Sequence, residues 1–421
     1  MKWLQWRSLR LTVVPVLGMS LALAACGSSS SSSSSTSAAA SSSAAVSTSA
    51  ASGKLPATIP ATFVGDQSGE VAFVGKQLLD GMQLAITRAN SSGLLHGSKI
   101  VLTVKDTAST VSTATSQMSA AANSPAVVIF GPALSSEALA TAPIAQAAKV
   151  VDIATLSEST GLLPIGNYIY RLTPSEDRYD VLIADRLAKL GIKTVNLVYA
   201  SDNPTLAAEA TKLMPAWFSK LGIKIGTSIG IPSTTTDFSA IATKLQSGNP
   251  QAICLLVVGP AIGSLATALR TDGYKGQLFA DQSATAGSLT PAGAAANGIL
   301  YAVQYHPDLT YPSSKQFTAL FKAAYPKVVP TGYAATGYDA MSAFADAVAK
   351  SGSATRAGVL KGMQEVASSG GFQGSSGPTR FVAPDGRDVT VGGVLVQWQN
   401  GAEHVVLVGN PNLDTQPVEP K

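Results

Sequence analysis

The run Ala252-Ile253-Cys254-Leu255-Leu256-Val257-Val258, closed by Gly259-Pro260, decides how the rest of the chain is read. An unbroken apolar stretch of this length, ended by turn residues, suits a strand covered on both faces, as in a parallel sheet. From Ile262 to Thr271 the apolar residues recur at helical spacing, and Gln277–Asp281 is a second short apolar run. Strand, helix and strand in succession predict a βαβ unit. The same unit repeats on either side. Upstream come strand Thr194–Tyr199, helix to Leu221, strand Ile223–Ile231 and helix Asp237–Gln246; downstream comes strand Gly298–Val303. Repeated βα alternation predicts an α/β fold with parallel sheets and helices on both faces.

The amino-terminal half follows the same pattern. Thr58–Val64 reads as a first strand, and Gly75–Asn90 as a helix with Leu78, Leu79, Met82, Ile86 and Ala89 on one face. Lys99–Lys105 reads as a strand with Ile100, Leu102 and Val104 inward. Short strands are predicted at Ala126–Phe130 and Val150–Ala154, with a helix at Ser135–Ala148 between them. The pattern restarts at Thr173-Pro174-Ser175-Glu176-Asp177, where Ser175 is placed to cap a helix with an acidic first turn, running to Gly191. Helices are predicted at about 315–324, 336–351 and 355–366, a hairpin at Pro384-Asp385-Gly386, and strands at Val394–Gln399 and Val405–Val408.

The first residues carry a different signal. Lys2, Arg7 and Arg10 precede the apolar run Leu11–Ala25, as in a secretory leader. The run ends in Leu23-Ala24-Ala25-Cys26-Gly27, which resembles the lipobox of bacterial lipoproteins; the resemblance implies cleavage after residue 25 and lipidation of Cys26. It is short for a membrane-spanning helix, which needs about 20 apolar residues. Ser28–Ser35 is all serine, and Ser/Ala-rich sequence continues beyond it; with almost nothing to bury, this segment is expected to act as a tether.

Composition narrows the function. Three of the 29 basic residues lie in the leader, against 25 acidic residues in all, so the remainder is close to neutral and no basic patch suggests nucleic acid. Charged residues are 13% of the chain, about half the usual share, so the surface relies on uncharged polar groups. Cys254, inside the apolar run, is expected to be an inert core thiol. His96, His306 and His404 are dispersed, and there is no P-loop, C-x-x-C or H-E-x-x-H, so neither a metal nor a cofactor is expected. The G-x-S-x-G match at Gly226–Gly230 lies inside a predicted strand, where a nucleophile elbow cannot form. Catalysis is not expected.

Several short motifs in order carry a resemblance. They are Phe73-Val74-Gly75-Lys76-Gln77 leading into Gly81-Met82-Gln83, Val127–Pro132 with Ser135-Ser136, Tyr170-Arg171-Leu172-Thr173-Pro174 and Thr236-Asp237-Phe238, then Gly332-Tyr333 through Gly337-Tyr338-Asp339-Ala340 and Gln397–Gly401. Together, from Ile59 to Val408, they resemble the leucine/isoleucine/valine-type binding proteins, the solute receptors of ABC importers with the type I periplasmic-binding fold. The resemblance implies two Rossmann-like lobes joined by three hinge crossovers, near Thr173–Asp177, Val303–Pro307 and Asp385–Val391. The segments then fall as leader 1–25, tether 26–55, first lobe 56–174 and 305–386, second lobe 175–304 and 387–412, and tail 413–421.

The family's solute-binding positions transfer residue by residue. Its carboxylate-gripping serine falls at Ser135, and the second gripping segment at Leu156-Ser157-Glu158, where the family's threonine is missing. The first-loop aromatic falls at Val74, with Phe73 adjacent; second-lobe aromatics fall near Pro204 and at Val258. The ammonium-pairing glutamate falls at Gln282, beside Asp281. An α-amino acid would then need Glu158 or Asp281 as counter-ion, because a buried unpaired ammonium costs several kcal/mol; otherwise the solute is a neutral amide or a carboxylate without an amine. The implied protein is a monomeric, extracytoplasmic, lipid-anchored subunit with permease partners. A sensor of the same fold, signalling to a membrane partner, is the alternative.

Overall fold

The computed structural model describes residues 54–382 and 386–409. The predicted leader, Cys26, nearly all of the tether, Pro384-Asp385 and the tail lie outside the described residues. Five strands, β1 (Thr58–Gly65), β2 (Lys99–Asp106), β3 (Val128–Gly131), β4 (Val151–Ala154) and β5 (Ile169–Arg171), form a parallel sheet in the order β2-β1-β3-β4-β5. A second sheet repeats that order with β6 (Thr194–Ala200), β7 (Lys224–Ile231), β8 (Ala252–Leu256), β9 (Gln277–Ala280) and β10 (Leu300–Val303), arranged β7-β6-β8-β9-β10. In both, the direction of winding reverses between the first and third strands, which opens a crevice at the carboxyl ends.

Helices join the strands: α1 (Ala72–Ser91), α2 (Val111–Ala122), α3 (Ser135–Ala147), α4 (Glu176–Lys189), α5 (Pro204–Ala208), α6 (Met214–Lys220), α7 (Ser239–Leu245), α8 (Pro260–Thr271) and α9 (Ala286–Leu289). After β10 the chain forms α10 (Pro312–Ala324), α11 (Gly332–Ser351) and α12 (Arg356–Ser368). It then makes a small antiparallel sheet of β11 (Phe372–Gly374), β12 (Gly377–Val382) and β13 (Asp388–Thr390). Finally β14 (Val394–Gln399) and β15 (Ala402–Val408) add antiparallel to β10.

Close packing of α1 against α11 is built on glycine. A Cβ on Gly81 would lie 2.0 Å from the Ala334 carbonyl oxygen, and one on Gly337 2.1 Å from that of Leu78. Behind this pair Phe344 of α11 meets Phe130 of β3 edge to face at 6.0 Å. The chain passes from the first sheet toward the second after β5, and leaves it after β10 for α10–α12. It returns between β13 and β14. Beside these passages Arg171 is buried with Asp388: Nε donates to Oδ1 at 2.9 Å and an Nη to Oδ2 at 2.8 Å. The other Nη of Arg171 donates to the Ser159 carbonyl at 2.9 Å, so one guanidinium ties β5, β13 and the loop after β4.

Several expectations need correction. The second sheet is mixed, because β14 and β15 arrive through a hairpin and can only run antiparallel to each other. Val104 is 38% exposed rather than inward: β2 is an edge strand, and its far end extends past its cover. The single helix predicted before Leu221 is α5 and α6 joined by a π-helical turn at Glu209–Leu213. Ser175 sits at the N-cap position of α4, but its hydroxyl accepts from Arg178 Nε instead of from the helix amides. Strands β5 and β11 escaped the sequence reading, since three residues are too few to show alternation, whereas β12 and β13 pair antiparallel on either side of the predicted hairpin.

Candidate functional site

Both crevices open toward each other, and their rims line one cavity of about 140 Å³. From the first sheet come Val74 at the start of α1, Ser135 after β3, and Leu156 and Glu158 after β4. From the second come Leu206 after β6, Val258 after β8, and Asp281 and Gln282 after β9. Each follows the carboxyl end of a parallel strand, or begins the next helix, as the winding requires. Seven of the eight residues transferred from the family, Val74, Ser135, Leu156, Glu158, Val258, Asp281 and Gln282, therefore stand on one wall or another. Ser157 does not: it is fully buried, and its hydroxyl donates to Ser135 Oγ at 3.3 Å from behind.

Ser135 is the first residue of α3 rather than its cap; Leu134 holds the cap position and makes no side-chain bond there. The first amides of α3 thus lack helical partners beside Ser135 and present a positive dipole end to the cavity. Phe73, 43% exposed, also lines the cavity and meets Tyr333 edge to face at 6.0 Å, supplying the aromatic wall that Val74 cannot. Pro204 stays out of the lining, where its neighbours Asn203 and Thr205 stand instead.

The acids differ in what they hold. Glu158 Oε1 accepts from the Thr173 hydroxyl at 3.4 Å, and Gln282 Nε2 donates to Glu158 Oε2, bridging the two sheets. Tyr333 makes a second bridge, its hydroxyl donating to the Ser283 carbonyl at 3.3 Å. Asp281 is 3% exposed; Ser283 N donates to its Oδ1 at 2.8 Å, while Oδ2 has no hydrogen-bond partner. Burial pushes the Asp281 carboxyl above the usual range, against the lowering effect of its bonds to Ser283. Behind it, burial drives Glu209 well up, and the nearby charges of Asp180, Asp281 and Glu158 act in the same direction. Cys254 is buried and its thiol is pushed well up, by burial first and then by Glu209 and Asp180, which makes it inert as a nucleophile. No lysine, arginine or histidine lines the cavity among the described residues.

The first sheet carries its own buried pair under Ser135. Asp66, after β1, accepts from the Thr107 hydroxyl at 2.8 Å, and Glu137 stands in the first turn of α3. Burial, reinforced by the neighbouring Asp66 charge, raises Glu137 to about 8, so it holds its proton at neutral pH. The Gly226–Gly230 match lies wholly within β7, with neither turn nor helix after Ser228. Among the described residues no group of His, Cys, Asp and Glu is arranged to hold a metal, and no helix is long and apolar enough to cross a membrane. The arrangement can enclose a small polar molecule and offers no nucleophile aligned with a base.

Comparison with known proteins agrees with this geometry. A curated amino acid binding protein of Pseudomonas aeruginosa is 23% identical over 288 residues, covering 67% of this chain and 76% of its own. A crystal structure of a leucine binding protein from Thermotoga maritima superposes with a TM-score of 0.77 at 24% identity, over 84% of this chain and 99% of that one. An ABC-transporter solute binding protein of R. palustris, solved with benzoate, gives a TM-score of 0.74 at 20% identity, over 83% and 96%. Residues 58–403 match the family model described as periplasmic binding protein. With two 2-1-3-4-5 sheets facing across a solvent-lined cleft, the chain belongs to the periplasmic binding protein family, whose members bind ligands and are not enzymes.

Proposed function

We propose that this protein is the lipid-anchored, extracytoplasmic solute-binding subunit of an ABC importer, and that its solute is an α-amino acid or a closely related carboxylate. The observation that carries this reading is that the two rims of the cleft have opposite chemistry. On one side, Ser135 and the unpaired amides of α3 suit a carboxylate. On the other, Asp281 lines the same cavity, keeps a buried oxygen without a partner and suits an ammonium. A solute holding both rims at once favours their approach, so binding shifts the molecule toward a closed form that a permease can distinguish. The leucine- and benzoate-binding relatives support carboxylates as the solute class.

The passages after β5, after β10 and between β13 and β14 act as hinges in this reading. They separate a lobe of residues 56–174 and 305–390 from one of 175–304 and 391–412, the last boundary falling after β13 because that strand pairs with β12. Cys26 carries the lipid, and the serine tract lets a monomer reach its permease. Calorimetric titration with amino acids, amides, and aliphatic and aromatic carboxylates tests the function. At least one should bind with a dissociation constant below the millimolar range; no binding across the panel would refute it. For the anchor, Cys26→Ala should release the protein from membranes, and continued retention would refute lipidation.

A further inference from the structure

Beside the cavity of Ser135 and Asp281 lies a second one of about 340 Å³, and Leu156, Glu158, Gln282 and Tyr333 line both. The Glu158–Gln282 bond joins two of these shared residues. The first compartment is well below the roughly 300–1,000 Å³ of common ligand pockets, whereas the second falls within that range. Its walls are aromatic, from Tyr179, Tyr305 and Trp398. Its polar lining includes His306, which faces Glu403, and Gln304, just after β10 and only 6% exposed. One end of that amide meets the Thr336 hydroxyl at 3.4 Å; the other, the nitrogen, has no partner. Thr336 also bonds the Gly332 carbonyl at 2.9 Å, so whichever way the amide lies, one end of this lining residue is left unmatched.

A buried amide end without a partner costs on the order of 1–3 kcal/mol, and native structures keep few of them. Glu158 and Glu403 border the same space. Glu403 already accepts from Tyr301, and His306 Nε2 faces it at 3.6 Å. A carboxylate arriving there would meet two acids, whereas a neutral amide or hydroxyl supplies both a donor and an acceptor. We propose that this compartment is a second subsite. It takes the neutral, amide-bearing end of an elongated solute whose charged head lies between Ser135 and Asp281, and so it rests on the reading of the cleft given above.

Titration of the full chain with two matched pairs tests it: norleucine with Nε-acetyl-lysine, and hexanoate with its ω-acetamido derivative. In whichever pair binds, the acetamide member should bind at least tenfold more tightly, equivalent to about 1.4 kcal/mol. In Gln304→Leu and in Gln304→Glu the ratio should fall to about one. A wild-type ratio of one or less overturns the subsite while leaving the cleft reading intact. So does a tenfold preference that survives both substitutions. Failure of all four compounds to bind wild type overturns the subsite, and the cleft reading falls with it only if the wider panel of amino acids, amides and carboxylates also fails to bind.

Discussion

Replacing Glu137 by Gln should remove a dependence of stability on pH that its surroundings impose. Unfolded, this carboxyl titrates near its ordinary 4.5; folded, burial and the Asp66 charge raise it to about 8. Below 4.5 both states hold the proton and no difference arises. As pH rises from there to 8, only the folded chain keeps it, so unfolding releases a proton and stability falls by about 1.4 kcal/mol per pH unit. Over the interval to pH 7 this amounts to roughly 3 kcal/mol. Asp66, raised by the same burial, competes for that proton, so the slope belongs to the pair. In Glu137→Gln the amide keeps a donor toward Asp66 and has nothing to ionise. The variant should match wild type near pH 5 and exceed it by about 2 kcal/mol at pH 7. Urea unfolding of both proteins at pH 5, 6, 7 and 8 measures the difference. A difference constant across that range would show that Glu137 carries no extra proton in the folded state, and the argument would fail.

Other expectations are simpler to state. Ser135→Ala should weaken solute binding by about 1–2 kcal/mol, the loss of one hydrogen bond to a charged group, read by calorimetry; unchanged affinity would take Ser135 out of the site. Asp388→Asn leaves Arg171 buried against a neutral partner, with Arg178 also 3.5 Å from that carboxylate, and should lower unfolding stability by about 3–5 kcal/mol in denaturant titration. Gly337→Ala drives a Cβ into the Leu78 carbonyl and should cost about 3 kcal/mol. Gly332→Ala, with nothing within 4 Å, should change stability by less than about 1 kcal/mol in the same assay.

Most of the strand order was legible because buried parallel strands leave a coarse mark. The runs at 252–258 and 126–130 are apolar throughout, the run at 150–154 is interrupted only by Asp152, and each is followed by turn residues or a helix. Resemblance placed Ser135 and Asp281 on the cleft, since the carboxyl end of a strand lies where the apolar run stops. Other features had no such mark. β5 and β13 are three residues each, held less by pattern than by Arg171 reaching across to Asp388, 217 positions later. Ser157 read as a solute contact because neighbours in a loop look alike, and only the backbone's turn put it behind Ser135.

The amino-acid order alone determined the βα repeat, the near-neutral composition, the absence of familiar catalytic motifs and the amino-terminal lipobox-like segment, all of which depend on residues near one another in the chain. Tertiary structure alone decided how each acid is held. Glu158 is engaged by Thr173 and Gln282, Asp281 keeps one oxygen without a partner, and Glu137 holds a proton beside Asp66. It also decided that Gln304, with one amide end lacking a partner, lines a compartment beside the first. The physical reason is that ionisation and hydrogen bonding depend on distance and dielectric, and folding brings together groups well separated in the chain, Glu158 and Gln282 by 124 positions.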